Sequence, residues 1–319
     1  MAMKLSERIK NSSSCFEEKL VPSFPQKNML LEVSNYCNHT CLFCANKKMT
    51  RKRGFLSLEL AEKVLKEAYL LGTREVGFYA TGEPLTNPNL AQYIHLAKTI
   101  GYTYTYLTTN GALLDEGKLI KLIEAGLDSI KFSINAGKKE TYARIHGKND
   151  FEKVIEHIKF TFHYRKMQNL NYRIYVSFIV NAINENETDT LKRKIQDYID
   201  EIVFLDVVNQ GGMMYEINDK LIPLGKKIPQ RHLPCPLLFN AFTVTCEGYL
   251  SACCTDFQNY LIIADLNSVD LKTAWESKKF QELRRRHLSK EIKGIMCYNC
   301  IYNKNEEVFP FTAKYAAMI

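Results

Sequence analysis

The chain has 319 residues, 46% of them hydrophobic and 24% charged, with only 15 glycines and 9 prolines. That composition excludes a collagenous or low-complexity chain and suits one large domain with an appendage, or two domains. The formal charge of +8 is scattered except for runs such as Lys47-Lys48, Arg51-Lys52-Arg53 and Arg284-Arg285-Arg286, and no nucleic-acid motif accompanies it. It therefore reads as solvated helical faces, and nucleic acid is not an expected partner.

Residues 1–28 form a polar N-terminal extension. They lack the apolar centre of a signal peptide, and nothing further on has the unbroken apolar length of a membrane helix, so the expected location is cytoplasmic, with no membrane partner. From 29 to 208, short apolar runs alternate with amphipathic ones. Strands are predicted at 29–34, 75–80, 103–108, 129–134, 172–180 and 202–207, and helices at 57–71, 89–100, 115–125, 151–166 and 188–199. Ser57 is suited to start the first helix, and Gly101 and Gly126 to close the second and third. Such alternation gives a parallel sheet with helical crossovers, and six units are too few for an eightfold barrel. The predicted fold class is α/β, a partial (β/α)6 TIM barrel.

Residues 209–234 lose the periodicity and carry Gly211-Gly212, Pro223, Gly225, Pro229 and Pro234, which reads as a linker or substrate-covering loop. The segment 235–319 offers a hairpin, 239–246 and 249–254 about Glu247-Gly248, then a helix over 271–288, and a final Cys-x-x-Cys pair. These predict a smaller α+β domain.

Ten cysteines in a reducing compartment point to metal rather than to disulfides. Cys37, Cys41 and Cys44 follow the first strand, at the mouth where such folds build their active sites. Three thiolates give a four-iron cluster three anchors and leave one iron open to a chelating ligand. Zinc would need a fourth ligand, for which His39 sits awkwardly inside the loop. Cys15 stands apart.

This spacing, with Phe43 immediately before the last cysteine, resembles the radical S-adenosylmethionine superfamily. The resemblance implies a 4Fe–4S cluster on Cys37, Cys41 and Cys44 that binds S-adenosylmethionine, whose reductive cleavage yields a 5′-deoxyadenosyl radical. Ala80-Thr81-Gly82-Glu83-Pro84 resembles the family's Gly-Gly-Glu-Pro motif, which implies that Gly82 and Glu83 meet the cofactor's amino group; Thr81 is a departure. Thr109 and Asn110 match the family's turn after the third strand. Ser133 and Asn135 resemble its Ser-Ile-Asp, with Asn in place of Asp, and Phe43 is implied near the adenine.

Near the C-terminus, Cys235, Cys253, Cys297 and Cys300 could hold a fully ligated 4Fe–4S cluster or structural zinc, and spacing does not decide. Their order around the Gly248 turn and Trp275 resembles the SPASM/twitch extension of radical enzymes. With no cysteine after Cys300, the chain is similar to the shorter, single-cluster version found in an alcohol-oxidising member that acts on aminocyclitols. The resemblance implies two clusters and an external one-electron reductant such as flavodoxin or ferredoxin.

Three outcomes branch from a substrate radical: dehydrogenation, epimerisation and peptide crosslinking. Cys246 and Cys254 are spare thiols, able to return a hydrogen atom or to serve only as small buried hydrophobes. Cys246 could also displace Cys235 as a ligand. Strand alternation would turn Cys254 away from the face of Cys253. Asp206, Asn209, Tyr215 and His146 are candidates for substrate contact or proton transfer. Only 28 residues precede the first strand, which favours a small hydroxylated substrate, a sugar or aminocyclitol, over a peptide.

Overall fold

The alternating pattern builds a single sheet in this computed structural model, which describes residues 4–14, 16–227 and 231–311, with the backbone alone at 11–14. Helix α1 (Leu5–Ser14) precedes strand β1 (Met29–Leu31). Then come α2 (Leu58–Leu70) and β2 (Glu75–Gly77), α3 (Leu90–Ile100) and β3 (Tyr104–Thr109), and α4 (Glu116–Glu124) and β4 (Ser129–Ser133). Helices α5 (Lys139–His146) and α6 (Phe151–Met167) lead to β5 (Arg173–Val180), and α7 (Thr188–Ile195) to β6 (Glu201–Asp206). The first six strands are parallel neighbours in chain order, the (β/α)6 arrangement expected.

Caps fix where these helices begin and end. Ser57 Oγ accepts the Leu60 N–H at 3.2 Å, and an Asp115 carboxylate oxygen accepts that of Lys118 at 2.8 Å, each satisfying an otherwise orphaned donor. Helix α3 stops at Gly101, whose φ of 117° is open to glycine. The apolar helix faces, including Val64, Leu65, Tyr93, Ile94, Leu119, Leu122 and Ile158, are buried on the outer face of the sheet. On β3 the alternation is complete: Thr105, Leu107 and Thr109 are buried, while Tyr104, Tyr106 and Thr108 line the barrel lumen. At the N-terminal mouth, α1 closes the lumen. Arg8 pairs with Glu75 at 2.5 Å and lies 4.1 Å over the Tyr104 ring, and the Leu5 N–H donates to Glu201 at 2.6 Å.

After β6 come α8 (Tyr215–Leu221), α9 (Leu237–Asn240), β7 (Phe242–Val244), β8 (Tyr249–Ser251), β9 (Ile262–Asp265), α10 (Leu271–Glu276), α11 (Lys278–Leu288) and α12 (Met296–Tyr302). Strand β7 pairs in parallel with β1, Met29 opposite Phe242 and Leu31 opposite Val244, and β8 and β9 continue antiparallel from it. The C-terminal hairpin therefore extends the barrel sheet, in the order β6-β5-β4-β3-β2-β1-β7-β8-β9.

Several boundaries differ from expectation for identifiable reasons. The first two ladders stop at Leu31 and Gly77, short of the apolar runs, because the chain beyond them turns into the cysteine loop and the Glu83 turn. The strand expected from 239 begins at Phe242, since α9 occupies the residues before it. The helix expected over 271–288 breaks at Ser277, whose hydroxyl caps α11 by accepting the Phe280 N–H at 3.3 Å. Cys15, Pro229 and the residues after 311 lie outside the described residues. Among the described residues no helix is long and apolar enough to cross a membrane.

Candidate active site

The loop after β1 is held by side chains rather than by a ladder. Asn35 Oδ1 accepts the Gly54 N–H at 2.8 Å, and Asn46 Nδ2 donates to the carbonyls of Asn35 (3.1 Å) and Thr81 (2.7 Å). Gln210, beyond β6, clamps the far end: its Oε1 accepts the Ala45 N–H at 2.8 Å, and its Nε2 donates to the Phe43 carbonyl at 3.1 Å. The last turn of α5 receives the Thr40 and Leu42 N–H groups on the carbonyls of His146 and Ile145. Gly82 is needed for close approach, because a Cβ there would meet the Tyr36 carbonyl oxygen at 2.6 Å.

Cys37, Cys41 and Cys44 are free thiols, and Cys41 feels the charge of both others. Burial pushes Cys37 up to about 12 and raises the other two. Unloaded, the three are protonated, so taking up iron releases protons. Phe43, Val207 and Leu221 pack beside Cys41, and Met49, Met214 and Phe257 beside Cys44. Three soft sulfur donors in an apolar setting suit an iron–sulfur cluster.

Glu83 is buried between Thr109, whose hydroxyl donates at 2.7 Å, and the Asn110 N–H, also at 2.7 Å. Burial pushes its carboxyl up to about 7 despite these bonds. Asn110 Nδ2 reaches Asn38 Oδ1 in the cysteine loop at 2.8 Å. The Thr81 hydroxyl, a departure from the family's glycine, bonds to buried Glu32. Ser133 Oγ lies 3.5 Å from Ser177 Oγ on the lumen side.

Asn135 and His146 are arranged differently from the sequence expectation. Asn135 Oδ1 accepts the Ile179 N–H at 2.7 Å, and its own N–H donates to His146 Nε2 at 3.2 Å. His146 is buried, stacks on Tyr142 at 4.0 Å and has its Nδ1 3.6 Å from Cys41 Sγ. Gly147, at φ 70°, ends α5 directly after His146. Burial lowers the pKa of His146 to about 3, so it is neutral. His39 Nε2 lies 3.1 Å from an Asp150 carboxylate oxygen, and one ring nitrogen each of His39 and His146 lies with Cys41 Sγ within a mutual 4.8 Å.

Cys235, Cys253, Cys297 and Cys300 are brought together. Each of the other three raises the pKa of Cys297. Cys297 and Cys300 lie one turn apart on α12, which is tied to the end of the barrel by Asn209. That side chain donates to the Asn299 carbonyl at 2.7 Å and accepts the Gly212 N–H at 3.0 Å. Arg231 faces this group of thiols.

The spare cysteines separate. Strand β8 ends at Ser251, so alternation does not reach Cys253 and Cys254. The neighbouring Cys254 draws Cys253 below the ordinary thiol value, and Cys254 itself lines a cavity with Tyr79 and Tyr106. Cys246 instead sits at the hairpin with Glu32, Glu247 and Arg51, apart from the four gathered thiols, and its N–H donates to Glu32 at 3.0 Å. Asp206 is exposed at the end of β6, and Tyr215 opens α8. Lys131 was missed, although the alternation of β4, with Ile130 and Phe132 buried, turns it into the lumen.

A parallel half-barrel with a three-cysteine loop at its mouth and a four-cysteine group behind it defines an iron–sulfur enzyme built to bind a cofactor at an open iron. The Radical SAM superfamily profile matches residues 31–195, and an iron-sulfur cluster-binding domain, SPASM, matches 235–301. The chain belongs to the radical SAM superfamily. Its cofactors are S-adenosylmethionine and 4Fe–4S clusters, one that binds the cofactor and one auxiliary.

An uncharacterised protein of Methanocaldococcus jannaschii is 28% identical over 221 residues, 69% of each chain. A probable GTP 3′,8-cyclase of Methanothermobacter thermautotrophicus is 35% identical over 130 residues, and the match spans 41% of this chain and 42% of that one. Among solved structures, BtrN in complex with AdoMet and 2-DOIA has a TM-score of 0.57 at 18% identity, covering 89% of this chain and 96% of that one. SuiB of Streptococcus suis bound to precursor peptide SuiA has a TM-score of 0.66 at 14% identity, covering 87% and 69%. At these identities the likeness is one of fold.

Proposed function

We propose that the chain is a radical oxidoreductase that removes hydrogen from an alcohol carbon of a sugar or aminocyclitol-type substrate in the barrel lumen. The domains follow from this reading: 29–208 generates the radical, 209–234 covers the substrate and 235–319 holds the auxiliary cluster. When bound, the first cluster and S-adenosylmethionine supply a 5′-deoxyadenosyl radical, and the auxiliary cluster supplies an electron acceptor.

One observation carries the reading: Cys253, in the four-thiol group, is the chain neighbour of Cys254, which lines the lumen, so the second site lies against the lumen wall. An electron leaving a substrate there has a short path. Dehydrogenation needs that path, because the carbon that has lost a hydrogen atom becomes a ketone only by giving up one electron and the hydroxyl proton. Asp206 and Tyr215 stand near the end of β6 to take the proton. Cys37, Cys41 and Cys44 anchor the first cluster. Glu83 and the Gly82 turn would receive the ammonium of the cofactor, and Phe43 and Ser133 would serve its adenine and ribose. Flavodoxin or ferredoxin delivers the electron.

The lumen-facing thiol of Cys254 also supports a second reading, an epimerase of a sugar or peptide in which Cys254 returns a hydrogen atom. Peptide modification is a third, in line with the peptide bound by SuiB. Anaerobic reconstitution with candidate sugars, aminocyclitols and peptides, with 5′-deoxyadenosine followed by mass spectrometry, tests all three. A product two hydrogens lighter, formed equally by Cys254→Ala, supports dehydrogenation. A product carrying one solvent deuterium, lost in Cys254→Ala, replaces it with epimerisation.

A further inference from the structure

Several polar groups of the lumen are partnered within the protein. Arg8 and Lys27 share the Glu75 carboxylate, at 2.5 and 3.5 Å. The Tyr104 hydroxyl donates to Ser129 Oγ at 2.7 Å, and Ser133 faces Ser177. Lys131 differs from these charged and hydroxyl groups. Among the described residues it has neither an ion pair nor a hydrogen bond, and its nearest aromatic contact is the Tyr79 ring, 5.7 Å from Nζ.

Its place is fixed by the strand. Ile130 and Phe132 are wholly buried on the helix side of β4, which commits Lys131 to the lumen. There it lines a cavity of about 170 Å³, which shares the walls Tyr79 and Tyr106 with a second cavity of about 150 Å³ that reaches Cys254. Burial lowers its pKa to about 8, with Cys254 pulling the other way, so near neutral pH it remains a cation; Glu75, the carboxylate in the same cavity wall, is held by Arg8 and Lys27. Such a group is costly unless a ligand supplies the missing charge. A neutral hydroxyl could bond the ammonium but would leave the charge uncompensated.

We infer that the barrel lumen is a binding site for an acidic group of the substrate, a carboxylate or a phosphate, received by the Lys131 ammonium. The inference rests on the lumen being the substrate chamber, and it narrows a sugar-like substrate to an acidic one. Charge-assisted hydrogen bonding then gives selectivity without added contact area.

Three sugars of one ring size serve as probes: glucose, glucose 6-phosphate and glucuronate. They are titrated calorimetrically into anaerobic holoenzyme loaded with S-adenosylmethionine and given no reductant. At least one acidic sugar should bind about tenfold more tightly than glucose, phosphate or carboxylate being identified by which one does. Lys131→Met should erase that margin and Lys131→Arg should keep it. In the wild-type enzyme, cyanate modification of Lys131, followed by peptide mass spectrometry, should slow severalfold with the acidic sugar and not with glucose. Equal or absent binding of all three, a margin that survives Lys131→Met, or unprotected Lys131 overturns the inference. Because no turnover enters, failure to form 5′-deoxyadenosine leaves this result standing on its own.

Discussion

His146 Nδ1 stands 3.6 Å from Cys41 Sγ, and the Asn135 N–H occupies the opposite nitrogen at 3.2 Å. Since Nε2 accepts from Asn135, the ring proton belongs on Nδ1 and points at the sulfur. An N–H donor to a cluster-bound sulfur raises the reduction potential by stabilising the reduced state. His146→Phe should therefore lower the potential of the first cluster by on the order of tens of millivolts while leaving that of the second unchanged. A redox titration followed by electron paramagnetic resonance reads both, and an unmoved first potential rejects the bond's influence.

Arg51 bridges two units of the fold. It pairs with Glu32, which is 1% exposed, and with Glu247 on the hairpin at 3.0 Å. Arg51→Met strips the partner from a buried carboxylate, at an expected cost of about 3–5 kcal/mol. Denaturant unfolding of the apoprotein measures it, and a loss under about 1 kcal/mol would mean that Glu32 finds water instead.

Glu83 should make the apoprotein's stability fall with rising pH. Its carboxyl is raised to about 7 in the fold, against about 4.3 in an unfolded chain. Between those values the native state keeps a proton that the unfolded state has lost, so stability is full below the lower value and declines through the higher. The loss approaches about 3 kcal/mol. Unfolding at pH 5 and pH 8 should show it in the wild type and much less of it in Glu83→Gln; equal slopes would place the origin elsewhere.

Replacing Cys297 and Cys300 together by alanine removes two of four gathered ligands. Iron content should fall from about eight to about four per chain, and formation of 5′-deoxyadenosine should persist. Retention of all the iron would mean that the second site lies elsewhere.

The six-unit barrel was readable because each helix and strand carries its own periodicity and caps, as Ser57, Asp115 and Gly101 show. The two cysteine groups were readable because ligands to one cluster need spacing that survives in sequence. Pairing of β7 with β1 was not, since a parallel partner so distant in the chain leaves no local mark. Asn135 stood out as a departure from the family's usual residue and His146 as a candidate for proton transfer, but their contact depends on how α5 folds back against the end of β4. Where Cys254 points was not legible, because β8 ends at Ser251 and strand alternation sets no rule beyond it. Lys131 was there to be read, one residue from Ile130 and Phe132.

Because β1 lies between β2 and β7, the strand that launches the three-cysteine loop has no free rim in the finished protein. A ribosome that has delivered only the first six strands holds a half-built shell whose β1 margin is bare and adhesive to other chains. The cradle for the earliest cysteines is thus completed only once β7 has been made and has paired with β1.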